Sequence, residues 1–168
     1  MILSKKYFTQ SATHLAPDLL GKLLCRTDDN GNVIKARITE TECYFGEEDT
    51  ACHAHKGRTP RTETLYQDGG IAYVYLCYGM HELFNVITGP ADHPEGVLIR
   101  GIEGAEGPGR ATKHLGITRK YNTLSLTPEN GLWLEDDGTR PEYTTLPRVG
   151  IGYASAEDQA RLWRFKVK

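Results

Sequence analysis

The chain has 168 residues, a formal net charge of −2, 39% hydrophobic and 25% charged residues, 18 glycines and eight prolines. This length predicts one domain with one well-formed core. No run approaches the about 20 apolar residues that cross a bilayer, so a membrane-spanning protein is excluded. The opening "MILSKKYFTQSATH" lacks an apolar signal segment, which predicts a cytoplasmic protein, at the nucleoid in a prokaryote. Four cysteines, Cys25, Cys43, Cys52 and Cys77, show no CxxC spacing and are expected as free thiols. The charge balance lacks the basic surplus of most nucleic-acid binders. Residues 53–61 and 109–114 are nevertheless locally cationic, which leaves room for one positive face.

"APDLLGKLLCR" (16–26) predicts a helix with Pro17 in its first turn that runs into a strand near Lys22. The Asn-Gly of "TDDNGNV" predicts a hairpin pairing 22–27 with 33–44. Residues 70–89 predict a second hairpin that reverses around "CYGMHE", with Tyr78 near its tip. Residues 96–103 read as a strand, 107–117 as a loop entering a short helix, and "GLWLED", "RVGIGYA" and "RLWRFKV" as short strands. Residues 103–110 and 136–148 read as loops.

The stretch "ITETECYFG" carries acids into the predicted first hairpin. Strand alternation puts Glu40, Glu42 and Tyr44 on one face and Thr41, Cys43 and Phe45 on the other. Alone, this pattern suits a solvated face better than a site. His53, His55, Lys56, Arg58 and Arg61 follow in one irregular loop, forming a titratable cluster. Zinc held by Cys52, His53 and His55, with Cys43 or Glu42, is one reading, although the spacing matches no usual zinc motif. Tyr73 and Tyr75 share a strand face, either as core or as a slot for a planar ligand. Asn85, in the apolar run "LFNVI", must find partners or read a ligand. "GPGR", with Gly109, Arg110, Lys113 and His114, looks like a phosphate-cradling turn, but the full P-loop or dinucleotide pattern is absent and the residues by themselves favour a plain loop entering a helix.

In order and spacing, "DLLGKLLCR", "ITETECYFGEEDTACH", "GRTPR", "AYVYLCYGMHELFNV", "GVLIRGIE", "GPGRATKHLGI" and "RVGIGYA" resemble the alkyladenine (methylpurine) DNA glycosylase family from about residue 3 onward. The resemblance implies one glycosylase domain over 1–168. It implies an α+β fold: a curved antiparallel β-sheet with a protruding β-hairpin and surrounding short helices, like a formyltransferase C-terminal domain. It also implies a monofunctional enzyme of base excision repair. Such an enzyme takes 3-methyladenine, 7-methylguanine or hypoxanthine from double-stranded DNA with an activated water and leaves an abasic site. By the same resemblance Glu42 is the general base and Arg100 holds the water. Tyr44, His53 and Tyr75 wall the base pocket, and Asn85 lies at its floor. Tyr78 enters the duplex, and Arg58, Arg61, Arg110 and Lys113 meet the DNA backbone. No cofactor, metal, membrane or obligate protein partner is implied, and a monomer is expected. Departures are the shortened 104–108 segment, Gly104 in place of a proline, and His81 after "YGM" where an aromatic is frequent. A catalytically silent nucleic-acid-binding module and a zinc hydrolase using Cys52, His53 and His55 remain the competing readings.

Overall fold

The first hairpin forms where the Asn-Gly turn places it, and a computed structural model describing residues 1–168 shows how the rest of the chain builds on it. Strand β1 (Leu23–Thr27) pairs antiparallel with β2 (Val33–Phe45). In the turn, Asp28 Oδ1 accepts the N–H groups of Asn30 and Asn32, each at 2.9 Å, and Gly31 takes φ 81°. An Asx turn followed by a left-handed glycine is the local chemistry that reverses such a ribbon.

Strand β2 is 13 residues long and is used twice. Its first half pairs with β1, and its second half is held between β5 (Glu95–Ile102) and β9 (Arg164–Val167). The second predicted hairpin is β3 (Ala72–Cys77) with β4 (His81–Ile87), and β4 continues the sheet onto β5. A short β6 (Ala105–Glu106) also pairs β5, β7 (Leu132–Glu135) pairs β1, and β8 (Tyr143–Leu146) pairs β9. The result is a nine-stranded antiparallel sheet with few short helices, the α+β class expected.

Four short α-helices accompany the sheet: α1 (Lys5–Phe8), α2 (Ala12–Asp18), α3 (Pro108–Leu115) and α4 (Ala156–Ala160). Helix α2 corrects the reading of 16–26. It starts earlier, where Ser11 caps it by accepting the Thr13 N–H, and Pro17 falls in its last turn instead of its first. The leucine spacing that suggested a longer helix is shared by α2, the turn after it and β1, because Leu15, Leu19, Leu20 and Leu24 all enter one core. Helix α3 follows the local chemistry more closely. Pro108 takes the first turn, where its missing N–H costs nothing, and Gly116 closes the helix in the left-handed region at φ 73°.

Two further expectations are corrected. "RVGIGYA" is not a strand: the chain runs irregularly through Gly150 and Gly152 and then enters α4. Within 136–148, residues Tyr143–Leu146 form β8 and not a loop, because β9 offers them a ladder that local composition does not reveal. No helix is long and apolar enough to cross a membrane. The four cysteines are free thiols.

Candidate active site

Glu42 lies in the doubly paired half of β2, opposite Leu98 of β5 on one side and Arg164 of β9 on the other. Its mount is an interior strand, which is a stiffer arrangement than an edge. The side chain is fully buried. Oε1 accepts the Tyr44 hydroxyl at 2.8 Å, and Oε2 accepts the Val149 N–H at 2.7 Å. Burial raises the Glu42 pKa above its ordinary value, opposed by the Val149 N–H, then Arg100, then the Tyr44 hydroxyl. Burial, and then the Glu42 charge, also hold the Tyr44 phenol protonated far above its usual pKa, so Tyr44 is the donor of this pair.

Arg100 reaches the acids through a defect in the ladder. Between β2 and β5 the register passes from Glu40 opposite Gly101 to Thr41 opposite Ile99, so Arg100 is skipped. Bulges of this kind re-aim a side chain. The Arg100 Nε lies 3.3 Å from Glu40 Oε2 and 4.0 Å from Glu42 Oε2. Glu40 also accepts from Arg164 at 2.9 Å, so it is held by two arginines.

Glu42, Arg100, Tyr44, His53, Tyr75 and Tyr78 line one cleft of about 610 Å³. Small-molecule sites occupy roughly 300–1,000 Å³. The Tyr75 ring meets His53 at 4.6 Å and Tyr73 at 5.3 Å between centroids. Tyr44 instead lies under the Arg148 guanidinium, 5.0 Å from its ring centre. The His53 Nδ1 is 2.9 Å from the Tyr73 hydroxyl. Burial, with a smaller contribution from Arg61, lowers the His53 pKa to about 4, so its ring is neutral near pH 7.

Asn85 stands farther in. It lines a separate space of about 40 Å³ behind the cleft, and its Nδ2 donates to the Tyr73 carbonyl at 3.2 Å. At the opposite end, Tyr78 crowns the hairpin with 89% of its surface exposed. Tyr78 and Gly79 both have positive φ, 53° and 67°. The left-handed region suits glycine and strains a tyrosine.

The basic residues divide. Arg110 and Lys113 are exposed on α3, and Arg110 lines the cleft. Arg61 lies over the Tyr75 ring at 5.5 Å. Arg58 is already committed, to Glu63 at 2.6 Å and Asp92 at 2.8 Å. The close approach that Gly109 permits is made by the hairpin: a Cβ there would lie 2.9 Å from His81 Nδ1. His81 therefore packs the hairpin against α3.

The proposed zinc ligands do not converge, and no three His, Cys, Asp or Glu side chains gather to hold an ion. Cys52 is buried in an apolar cluster, where desolvation pushes its thiol up to about 12. His55 Nδ1 faces the Glu47 carbonyl at 2.7 Å.

Sequence reasoning missed the loop that completes the site. Arg148 is buried and forks onto Asp49 at 2.7 and 3.0 Å, while also donating to the Cys43 carbonyl at 2.9 Å. This anchor delivers the neighbouring Val149 N–H to Glu42. The available signal was an arginine inside the otherwise apolar "PRVGIG".

A family described as Methylpurine-DNA glycosylase (MPG) matches residues 6–106 and 103–168. The chain belongs to the methylpurine-DNA glycosylase family. It is similar to a protein of Psychrobacter cryohalolentis, 42% identical over 91% of this chain and 86% of the relative. It is also similar to one of Borrelia garinii subsp. bavariensis, 40% identical over 99% and 96%, and to one of Myxococcus xanthus, 42% identical over 96% and 89%. Each of the three is named "Putative 3-methyladenine DNA glycosylase". Within this family the Glu42 cleft is the candidate active site.

Proposed function

We propose that this chain, a DNA glycosylase by family, acts as a single-domain monomer over residues 1–168 on double-stranded DNA in the cytoplasm. It extrudes alkylated or deaminated purines of the 3-methyladenine, 7-methylguanine and hypoxanthine class and hydrolyses their N-glycosidic bond. The observation that carries this reading is one cleft holding a buried carboxylate, a wall of rings and an exposed hairpin-tip tyrosine.

Each part answers a requirement of the chemistry. A base inside a duplex is out of reach, so its nucleotide must be swung out and the gap filled. Tyr78 supplies the filler. The base then enters the cleft beside Tyr44, Tyr75 and His53. A purine methylated at a ring nitrogen is cationic, and a tyrosine face favours a cation by about 0.5–2 kcal/mol. A neutral His53 adds a stacking partner without charge repulsion. Asn85 faces the inner end of the slot, where it meets the substituents of the base.

Glu42 takes a proton from water as the water oxygen bonds to the sugar carbon and the base departs with the electron pair of the C–N bond. The raised pKa makes Glu42 a stronger base than an ordinary carboxylate. Its charge also stabilises the oxocarbenium-like sugar, and Arg100, tethered by Glu40, orients the water. Arg61, Arg110 and Lys113 supply contacts to phosphates, with Arg58 available only by leaving its two carboxylates.

The test is release of free base from alkylated duplex oligonucleotides, with strand integrity followed in parallel. Expected are free purine and an abasic site in an unbroken strand, with Glu42→Gln binding DNA but releasing nothing. Undiminished release by Glu42→Gln, or binding without release by the unaltered chain, would refute the reading.

A further inference from the structure

Four side chains line both the open cleft and the small space behind it: Tyr44, His53, Tyr75 and Tyr153. They form the neck through which anything in the cleft reaches Asn85. Three of these rings are held. Tyr44 is fixed between the Glu42 carboxylate and the Arg148 guanidinium, and His53 is bonded to the Tyr73 hydroxyl. Tyr75 is packed by His53 and Tyr73.

Tyr153 differs. It is 68% exposed, and a single hydrogen bond, from its hydroxyl to the Ala51 carbonyl at 2.7 Å, ties the ring across the neck. Its backbone is secured on both sides, because Ile151 and Ala154 are buried against Ala51. Space around the ring is nevertheless open, because most of the residue faces solvent. Movement here is therefore rotation of one side chain about a fixed backbone. The space behind the neck holds about 40 Å³, little more than the about 30 Å³ share of one water in the liquid, so a purine does not fit without displacement of a wall.

We infer that Tyr153 is the movable wall of the base slot, a specificity-determining residue that releases Ala51, admits the extruded purine and then closes its ring over it. The inference rests on the glycosylase reading and adds a residue to it. Rotation costs one partly exposed hydrogen bond and is repaid by a base–aromatic stack. An undamaged, neutral base gains less from that closure than a cationic one.

The experiment compares Tyr153→Ala, Tyr153→Leu and Tyr153→Phe with the unaltered protein. The substrate is whichever of the 3-methyladenine, 7-methylguanine and hypoxanthine duplexes the unaltered protein cleaves fastest, under single-turnover conditions. Extrusion is read separately by 2-aminopurine placed beside the lesion, in a Glu42→Gln background that blocks release. Both Tyr153→Ala and Tyr153→Leu are expected to lower release and the 2-aminopurine signal by about tenfold, the effect of losing one stack. Tyr153→Phe keeps the ring and should stay within about threefold, the effect of one partly exposed hydrogen bond. Melting temperatures of all three should match the unaltered protein, which separates wall from scaffold. Unchanged extrusion in Tyr153→Ala and Tyr153→Leu, or a loss in Tyr153→Phe equal to theirs, would overturn the inference while leaving the glycosylase reading intact. Release of none of the three bases by the unaltered protein would overturn both.

Discussion

The backbone N–H of Val149 donates to the Glu42 Oε2 at 2.7 Å, joining an irregular loop to a central strand across 107 residues of sequence. Through this bond the carboxylate is oriented by main chain as well as by Tyr44. The geometry of the base thus depends on whatever holds the loop.

Arg148 holds it. Its ion pair with Asp49 is wholly buried, with side chains 0% and 1% exposed. Removing one partner of such a pair leaves an uncompensated buried charge and costs about 3–5 kcal/mol. Arg148→Ala should therefore lower the urea midpoint by that equivalent and abolish base release, because the Val149 amide loses its position. A variant with near-normal stability would show that the pair is not the anchor.

Glu42 is destabilising when ionised. Its folded-state pKa is raised, so protonation favours the folded state: the stability it contributes is present below the unfolded pKa and is lost as pH rises through the folded value. Glu42→Gln should thus melt higher than the unaltered chain at neutral pH, with the difference vanishing in acid. For the unaltered protein, release should fail on acidification at a pH above the ordinary glutamate value. Thermal melts and single-turnover rates across pH 3–8 check both statements, with the reference near 4.3.

His53 behaves in the opposite sense. Its folded-state pKa is depressed to about 4, below the ordinary imidazole value of 6.5. The neutral ring contributes stability that is full above the unfolded pKa and drains away between about 6.5 and 4 as pH falls. The imidazole NMR resonances of His53 should remain those of a neutral ring at pH 5.5. Titration midway between 6 and 7 would contradict the buried placement.

Tyr78 occupies a backbone conformation better suited to asparagine or glycine. Tyr78→Asn is therefore expected to leave melting unchanged or raised by up to about 1 kcal/mol equivalent, while weakening capture of lesions in duplex DNA about tenfold and in single strands much less. Affinity measured on both forms decides. Equal losses would remove the case for a duplex-filling role.

Much of the ribbon architecture was legible along the chain because its signals are local. The Asn30-Gly31 turn, the aromatic run into Tyr78, and Pro108 and Gly116 around α3 depend on chemistry within a few residues. The motif order pointed to the family, and two-residue alternation already put Glu42 and Tyr44 on one face. The tertiary structure decided the rest. Arg100 reaches Glu42 through a register shift between strands more than fifty residues apart. The Val149 amide and the Tyr153 ring arrive from a segment that local composition presents as one more strand. Their placement depends on a buried ion pair between Asp49 and Arg148, and long-range electrostatic pairing leaves no periodic trace in a sequence.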